Sequence, residues 1–127
     1  MLIQLPEISI QKIETRDQPC LRFTFRNKFT EQAAIAGTKV WNEELNKHPE
    51  CTYQFIWDCT EMTGFEISAR REWYKYMAIH KHRISRVTTI SGNIMIRSAA
   101  KVMLELFGIP CKTEKPLISR RNRIQRF

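Results

Sequence analysis

The first thirty residues alternate apolar and polar side chains in the way that half-buried β-strands require. One such pattern runs over residues 8–15 and a second over residues 20–26 (CLRFTFR). Between them, residues 16–19 (RDQP) have turn chemistry, because proline restricts its own φ and aspartate bonds to neighbouring backbone. The pattern predicts an N-terminal β-hairpin.

Three later segments carry apolar residues at the three-to-four-residue spacing of an amphipathic helix. Thr30, Ser68 and Asn93 precede these segments, and each is a residue type that caps helix N-termini. Pro49 stops the first segment and Gly108 ends the third, as expected at helix C-termini. We therefore predict three helices.

Strand-like runs separate the predicted helices. Residues 53–59 (YQFIWDC) form a nearly continuous apolar run, which is typical of a central strand covered on both faces, and Asp58 falls at its end. Residues 84–91 are rich in β-branched side chains, and residues 111–113 complete the series. The order β-β-α-β-α-β-α-β predicts an α/β domain, with an N-terminal hairpin followed by alternating β-α units. Its sheet is mixed but mainly parallel, has about five strands and is covered by helices.

Length and composition agree with one globular domain. The chain has 127 residues, 43% of them hydrophobic and 27% charged. The opening residues do not read as a secretion signal, and no apolar run reaches the roughly 18 residues of a membrane-spanning helix. We therefore expect a cytoplasmic protein without membrane insertion. The cysteines form no CxxC pair, so we expect buried structural thiols rather than a zinc or redox site. They are Cys20, Cys51, Cys59 and Cys111.

The charge is unevenly divided along the chain. Residues 1–66 hold seven Lys/Arg against ten Asp/Glu, a net charge of −3, whereas residues 67–127 hold fourteen against three, a net charge of +11. Such a split favours an anionic partner such as nucleic acid, an acidic protein or a phosphorylated ligand. It also suits a positive solvated face, and charge alone does not choose between these interpretations. We predict a folded domain over residues 1–116 and a basic C-terminal tail over residues 117–127.

Two segments resemble a known family. They are residues 53–77 (YQFIWDCTEMTGFEISARREWYKYM) and residues 86–114 (RVTTISGNIMIRSAAKVMLELFGIPCKTE). With the order of elements, they resemble the STAS family, in particular its SpoIIAA-like branch of small bacterial proteins related to anti-sigma-factor antagonists. The first segment is similar to the family's strand ending in an aspartate, the turn and the second helix. The resemblance implies a SpoIIAA-like fold acting as a non-enzymatic regulatory module that binds other proteins.

In the anti-sigma-factor antagonists, the second helix begins at a D-S motif, and a partner kinase phosphorylates its serine to break a complex. With Asp58 aligned to the family's strand-end aspartate, Glu66 and Ile67 stand where that pair would be. Ile67 cannot accept a phosphate, which separates this chain from the phosphorylated members. Ser68 lies one residue later, and it is interpreted either as a helix cap or as a displaced phosphate acceptor.

The predicted contact surface is the second helix together with the loop before it, and the basic tail is a second contact. The expected partner is another protein with an acidic contact face, and a homodimer is left open. The candidate partner-binding residues are Thr63, Gly64, Ser68, Arg70, Arg71, Lys75, Arg120, Arg121 and Arg123.

The rival hypothesis is a small anionic or apolar ligand at the strand ends, since some members of the family hold apolar or nucleotide ligands. Its candidate residues are Asp58, Gly92 and Asn93. Ligands gather at the carboxyl ends of parallel strands, and the free N–H groups at a helix start receive anions. Both features also have plain structural explanations, because an aspartate can bond to loop backbone and many strand-to-helix turns hold no ligand.

Catalysis and metal binding find no support in the sequence. Motifs of nucleophilic, phosphate-binding and zinc-hydrolase sites do not occur, so we predict neither catalytic residues nor a cofactor. His80 and His82 are two residues apart on a helix and point in different directions, which argues against a shared metal ion. Nonspecific nucleic-acid binding ranks third, because the chain lacks an aromatic stacking platform and helix-turn-helix spacing.

Overall fold

The computed structural model describes residues 1–116, in which six strands and three α-helices form. The strands are β1 (Ile3–Gln4), β2 (Ile8–Ile13), β3 (Cys20–Phe29), β4 (Tyr53–Phe65), β5 (Ile84–Ile90) and β6 (Cys111–Glu114). The helices are α1 (Glu31–Lys47), α2 (Ile67–His80) and α3 (Ile94–Leu106), and a 3₁₀ turn over Lys81–Arg83 joins α2 to β5. The predicted basic tail, with Arg120, Arg121 and Arg123, lies outside the described residues.

The six strands form one sheet whose spatial order follows the chain, from β1 to β6. The pairs β1–β2 and β2–β3 are antiparallel, and the three remaining pairs are parallel. The predicted hairpin and mainly parallel α/β sheet are therefore confirmed. Strand β1 was not predicted, because a strand of two residues is too short to show a periodic pattern.

The three helices lie on the same face of the sheet. Right-handed crossovers between strands that follow one another in order place every connecting helix on one side. Along β4, Phe55 and Trp57 are buried on this side, while Gln54, Ile56 and Asp58 are half-buried on the other. The prediction that residues 53–59 are covered on both faces is therefore wrong for residues 1–116. The strand is central, as predicted, but its apolar run includes the half-buried Ile56.

Two tryptophans dominate the contact between α1 and α2. Trp41 of α1 is fully buried, and its ring centre lies 5.8 Å from that of Trp73 on α2. Phe23 of β3 lies beneath both, with its ring 6.5 Å from Trp41 and 5.7 Å from Trp73. Edge-to-face aromatic contacts of this kind add stability beyond the area they bury. The side of α2 that faces α1 is therefore tightly packed with aromatic side chains.

Two of the three predicted helix caps are confirmed. Thr30 Oγ1 accepts a hydrogen bond from Ala33 N at 3.2 Å, and Asn93 Oδ1 accepts one from Met95 N at 2.8 Å. Ser68 is not a cap, because α2 begins two residues earlier than predicted: Glu66 is the N-cap and Ser68 lies inside the first turn. Gly108 follows α3 with a φ of 69°, the left-handed conformation that glycine adopts most easily.

Strands β3 and β4 continue beyond their neighbours as a two-stranded parallel ribbon. β2 pairs with β3 only as far as Phe25 and β5 pairs with β4 only as far as Asp58, but β3 and β4 stay paired to Phe29 and Phe65. Asn27 adopts a positive φ of 58° where the register of this pair shifts. The predicted end of the strand at residue 59 is therefore wrong, since the partner strand supplies hydrogen bonds that periodicity does not reveal.

A charged cluster ties the hairpin to α1 at the amino edge of the parallel strands. Glu44 Oε2 lies 3.0 Å from Lys12 Nζ, accepts a 3.3 Å hydrogen bond from Tyr53 Oη and is 3.7 Å from His48 Nε2. Burial raises the pKa of the Glu44 carboxyl, but Lys12, His48 and Tyr53 together outweigh burial and leave the pKa below its usual value. Burial and the neighbouring Glu44 raise the pKa of Tyr53 to about 12.

Candidate functional site

The carboxyl edge of the parallel strands brings the starts of α2 and α3 to the same end of the molecule. α2 follows β4 directly and α3 follows β5 after a short turn, and these strands are parallel neighbours. The first residues of both helices are apolar and exposed: Ile67 is 67% exposed, Ile94 66% and Met95 75%. Large apolar side chains that gather in an exposed patch mark contact surfaces more often than scattered ones do.

An apolar cavity of about 70 Å³ lies between α2 and α3 at this end. Its floor comes from the β3–β4 ribbon, and its walls come from the first turns of α2 and the inner side of α3. The lining residues are Phe25, Phe29, Trp57, Cys59, Met62, Phe65, Arg70, Trp73, Ile96, Ala99, Ala100 and Met103. The two helices contact one another through Tyr74 and Phe107, whose rings are 5.5 Å apart.

Arg70 is the single charged residue of the lining. Its guanidinium carbon lies 6.0 Å from the ring centre of Phe65 and 5.9 Å from that of Tyr74, which is within the range of cation–π attraction. Within residues 1–116, no carboxylate lies within ion-pair distance of either Arg70 or Arg71. The mouth of an apolar cavity therefore carries free positive charge.

The outward side of α2 combines basic and apolar residues. Ile67, Arg71, Lys75 and Ile79 recur every four residues, and all four are exposed. Residues four apart lie on one side of a helix, so these side chains form a single stripe. Lys75 Nζ lies 3.1 Å from Glu72 Oε2 on the same helix. Arg71 is therefore the cation of the stripe that has no carboxylate within ion-pair distance in residues 1–116.

Thr63 and Gly64 lie in the last residues of β4, not in a loop as predicted. Thr63 is exposed, and apart from Gly64 and its two chain neighbours no residue among 1–116 comes within 4 Å of the position that a Cβ on Gly64 would take. Ser68 follows in the first turn of α2. Of the predicted partner-binding residues, the structure thus brings Thr63, Gly64, Ser68 and Arg70 to one end of the fold, with Arg71 and Lys75 further along the outward stripe.

Glu66 has a structural role that the sequence did not reveal. Its carboxylate accepts a 2.8 Å hydrogen bond from the backbone N–H of Glu31, the first residue of α1. Its own N–H donates to the carbonyl of Phe29 at 2.9 Å. Glu66 therefore joins the starts of α1 and α2, and a carboxylate at a helix N-terminus is favoured by the helix dipole.

Two of the residues predicted to hold a small ligand, Asp58 and Asn93, already have partners within the fold. Asp58 lies within β4 rather than at its end; it is 2.6 Å from Arg22 Nη2 and accepts hydrogen bonds from the N–H and hydroxyl of Thr60. Asp58 is also on the face opposite the helices. The Asn93 side chain accepts hydrogen bonds from two backbone N–H groups of α3. Gly92 lies in the turn between β5 and α3, beside Pro116.

The prediction that the cysteines are buried holds for Cys20 and Cys59, whereas Cys51 and Cys111 are only half-buried. His80 is buried with Nε2 2.7 Å from Asn42 Oδ1, whereas His82 is exposed, so the two rings do not share a site. Within residues 1–116, no group of three or more histidine, cysteine or acidic side chains is arranged to hold a metal ion. Cys59 borders the cavity, and burial raises the pKa of its thiol to about 12, so the sulfur stays protonated. None of the helices in residues 1–116 is long and apolar enough to cross a membrane.

Known structures share this arrangement of strands and helices. An uncharacterised protein of the DUF3478 family from Shewanella loihica PV-4, which has a SpoIIAA-like fold, superposes with a TM-score of 0.73 over 90% of each chain at 21% sequence identity. The anti-sigma factor antagonist SpoIIAA, in its unphosphorylated form, superposes with a TM-score of 0.58 over 92% of this chain and 98% of its own at 9% identity. This chain has the SpoIIAA-like fold. No protein-family model matches the sequence, and no curated protein matches it.

The SpoIIAA-like fold confirms the resemblance inferred from the sequence. Glu66 and Ile67, at the positions aligned with the D-S motif, are the N-cap and the first residue of α2. The sequence did not predict the cavity, because its lining comes from four separate elements. The exposed Ile94 and Met95 carried a sequence signal, since they lie off the apolar face of the predicted third helix.

Proposed function

We propose that this protein is a non-enzymatic regulatory module that binds another protein through the end of β4 and the first turns of α2. The observation that carries the proposal is the free positive charge of Arg70 and Arg71 beside the exposed Ile67. A surface that combines unpaired cations with exposed apolar side chains gains both electrostatic steering and apolar burial from a protein partner.

The partner-binding surface defined here consists of Thr63, Gly64, Ile67, Ser68, Arg70, Arg71 and Lys75. Thr63, Ile67, Arg70, Arg71 and Lys75 are exposed, and the open space around Gly64 admits close approach of a partner backbone. Arginine is also over-represented among the side chains that contribute most to protein interfaces. The basic tail adds Arg120, Arg121 and Arg123 as a second, charge-driven contact.

A ligand site at the strand ends receives less support. The carboxylate of Asp58 is already paired with Arg22, and the amide oxygen of Asn93 already caps α3. A ligand that used either group would have to replace an existing interaction, and polar groups left unpaired in a partly buried site lower affinity.

A pull-down at low and at high salt, from a lysate of the organism that naturally makes this protein, tests the proposal. Wild-type protein should retain a specific protein that Arg71→Glu retains at least about tenfold less, the loss expected when a charge in a contact is reversed. Lys39→Glu is the matched control, because Lys39 is exposed on α1 away from the surface. Equal retention by Arg71→Glu and Lys39→Glu would contradict the proposed surface.

The tail is tested separately by deleting residues 117–127. The deletion removes four arginines and no acidic residue, which lowers the net charge from +8 to +4. Binding should weaken, and its dependence on salt should become flatter, since fewer screened charge pairs contribute. An affinity unchanged by the deletion would exclude the tail as a contact.

A further inference from the structure

We infer that the cavity between α2 and α3 receives an apolar side chain from an acidic segment of the partner protein. The inference rests on the proposed function and names the chemistry of the partner. It extends the contact from α2 across to the start of α3, where the sequence assigned no partner-binding residue.

The size of the cavity favours a side chain over a free ligand. Pockets that enclose drug-sized molecules usually have volumes of about 300–1,000 Å³, whereas this cavity measures about 70 Å³. A space of that size is filled by one aliphatic side chain or the edge of an aromatic ring. Apolar anchors that enter such pockets commonly supply the largest share of interface energy.

The surroundings of the cavity continue its apolar character onto the surface. Met95 immediately precedes Ile96 of the lining, and Ile67 lies one turn before Arg70 of the lining. Ile67, Ile94 and Met95 are three of the eight large apolar side chains that residues 1–116 expose. A partner whose anchor enters the cavity would cover these side chains with the residues on either side of that anchor.

The charge of the rim indicates that the residues beside the anchor are acidic. Arg70 at the cavity and Arg71 on the adjoining outward stripe have no carboxylate within ion-pair distance in residues 1–116, and the N-terminal ends of α2 and α3 add positive dipole potential. Glu61 is paired with Arg26 at 3.9 Å, whereas Glu66 keeps its negative charge, because the backbone N–H of Glu31 that bonds to it is neutral. The two arginines outnumber this one carboxylate, so the net charge beside the cavity is positive.

A phage-displayed library of random peptides, selected on the full-length protein, tests this chemistry without knowledge of the natural partner. Enriched peptides should share an aliphatic or aromatic residue flanked by aspartate or glutamate. A synthetic peptide of the enriched sequence should bind wild-type protein, and Ala99→Phe, which fills the cavity from α3, should weaken it about tenfold. The double variant Arg70→Glu, Arg71→Glu should weaken it by at least as much.

Matched controls separate these effects from damage to the fold. Asn46→Phe introduces the same side chain at an exposed position of α1, and Lys39→Glu reverses a charge on the same helix; each should change the affinity by less than about twofold. Ala99→Leu is a milder way to fill the cavity if the phenylalanine variant does not reach the wild-type circular dichroism spectrum. It should weaken binding in the same direction.

Other outcomes overturn the inference in distinguishable ways. Peptides that lose binding with Arg71→Glu but bind Ala99→Phe and Ala99→Leu normally would leave the proposed function standing and contradict the anchor. Failure to enrich any peptide, or binding that none of these variants alters, would contradict both. Displacement of the peptide by micromolar dodecanoate would assign the cavity to a free apolar ligand. Phosphatidylglycerol vesicles that bind the protein through the same residues, while peptides do not, would assign the surface to lipid.

Discussion

The two sides of helix α2 are packed in opposite ways. Towards α1, Trp73 meets the fully buried Trp41 and also lies against Gly37, where an added Cβ would be 3.5 Å from Trp73 Cζ3. Towards α3, the same tryptophan borders a cavity. The comparison teaches that the packing of α2 is uneven: the α1 side is tightly packed and holds the fold together, and the α3 side leaves the apolar surface that the proposed partner would cover.

The largest expected effect comes from breaking the α1 side. Trp41→Ala should lower the free energy of unfolding by about 3–5 kcal/mol, the usual cost of removing a large buried aromatic side chain. Met62→Ala, on the half-buried wall of the cavity, should cost only about 1 kcal/mol, because a residue beside existing free space makes fewer contacts. Urea denaturation of both variants measures the difference, and equal losses would contradict the division.

The charged cluster at the amino edge should also prove structural. Glu44→Gln should lower the free energy of unfolding by about 1–3 kcal/mol, since it removes the partner of the partly buried Lys12. Because the pKa of Glu44 is below its usual 4.5 in the folded state, its contribution is complete above that pH and is lost as the pH falls. Thermal melting of wild type and Glu44→Gln across this range should converge at acidic pH, and parallel curves would contradict the assignment.

A second acid-sensitive step should appear at higher pH through His80. Burial, and then the charge of Arg83, lower the pKa of this imidazole from its usual 6.5. Protonation therefore favours the unfolded chain, so stability should be full above pH 6.5 and should decline as the pH falls below it. His80→Gln should remove this step, which melting curves between neutral and mildly acidic pH would show.

The smallest effects are expected where the α3 side is filled and where the face opposite the helices is altered. Ala99→Leu should change the free energy of unfolding by at most about 1 kcal/mol, because most of the added side chain enters the free space of the cavity. A loss of more than about 1 kcal/mol would show that the substitution displaces packed neighbours and that the cavity does not accept an added side chain.

On the opposite face, Asp58→Asn should cost less than about 1 kcal/mol, as expected for a partly exposed ion pair with Arg22. It should leave partner binding unchanged, because Asp58 lies on the other face of the sheet from α2. Loss of binding in Asp58→Asn with an unchanged melting temperature would revive the strand-end ligand hypothesis.

The fold was predictable from the sequence because its signals are local. The alternation in residues 20–26 and the caps Thr30 and Asn93 each act within a few residues of the chain. The true start of α2 was not predictable in this way. It depends on Glu66, whose backbone N–H bonds to Phe29 and whose carboxylate reaches α1, and both partners are distant in sequence.

The candidate site was also only partly predictable from the sequence, and for the same reason. Arg70 and Arg71 were identifiable as charges on a helix, whereas the cavity beside them required strands β3 and β4 to extend as a ribbon beneath α2 and α3. Asp58 looked like a strand-end group only because the polar residues after it concealed the continuing strand. Features built from one element could be predicted, and features assembled from several elements could not.

The most direct test of the account compares partner binding by four single variants of the full-length protein. Arg71→Glu alters the outward side of α2 and Ala99→Phe fills the cavity from α3, whereas Lys39→Glu and Asn46→Phe make matched changes at exposed positions of α1. With a selected peptide as the probe in isothermal titration, the first two variants should bind about tenfold more weakly, and the controls should match wild type. Equal affinity across all four variants, each folded as judged by circular dichroism, would contradict the account.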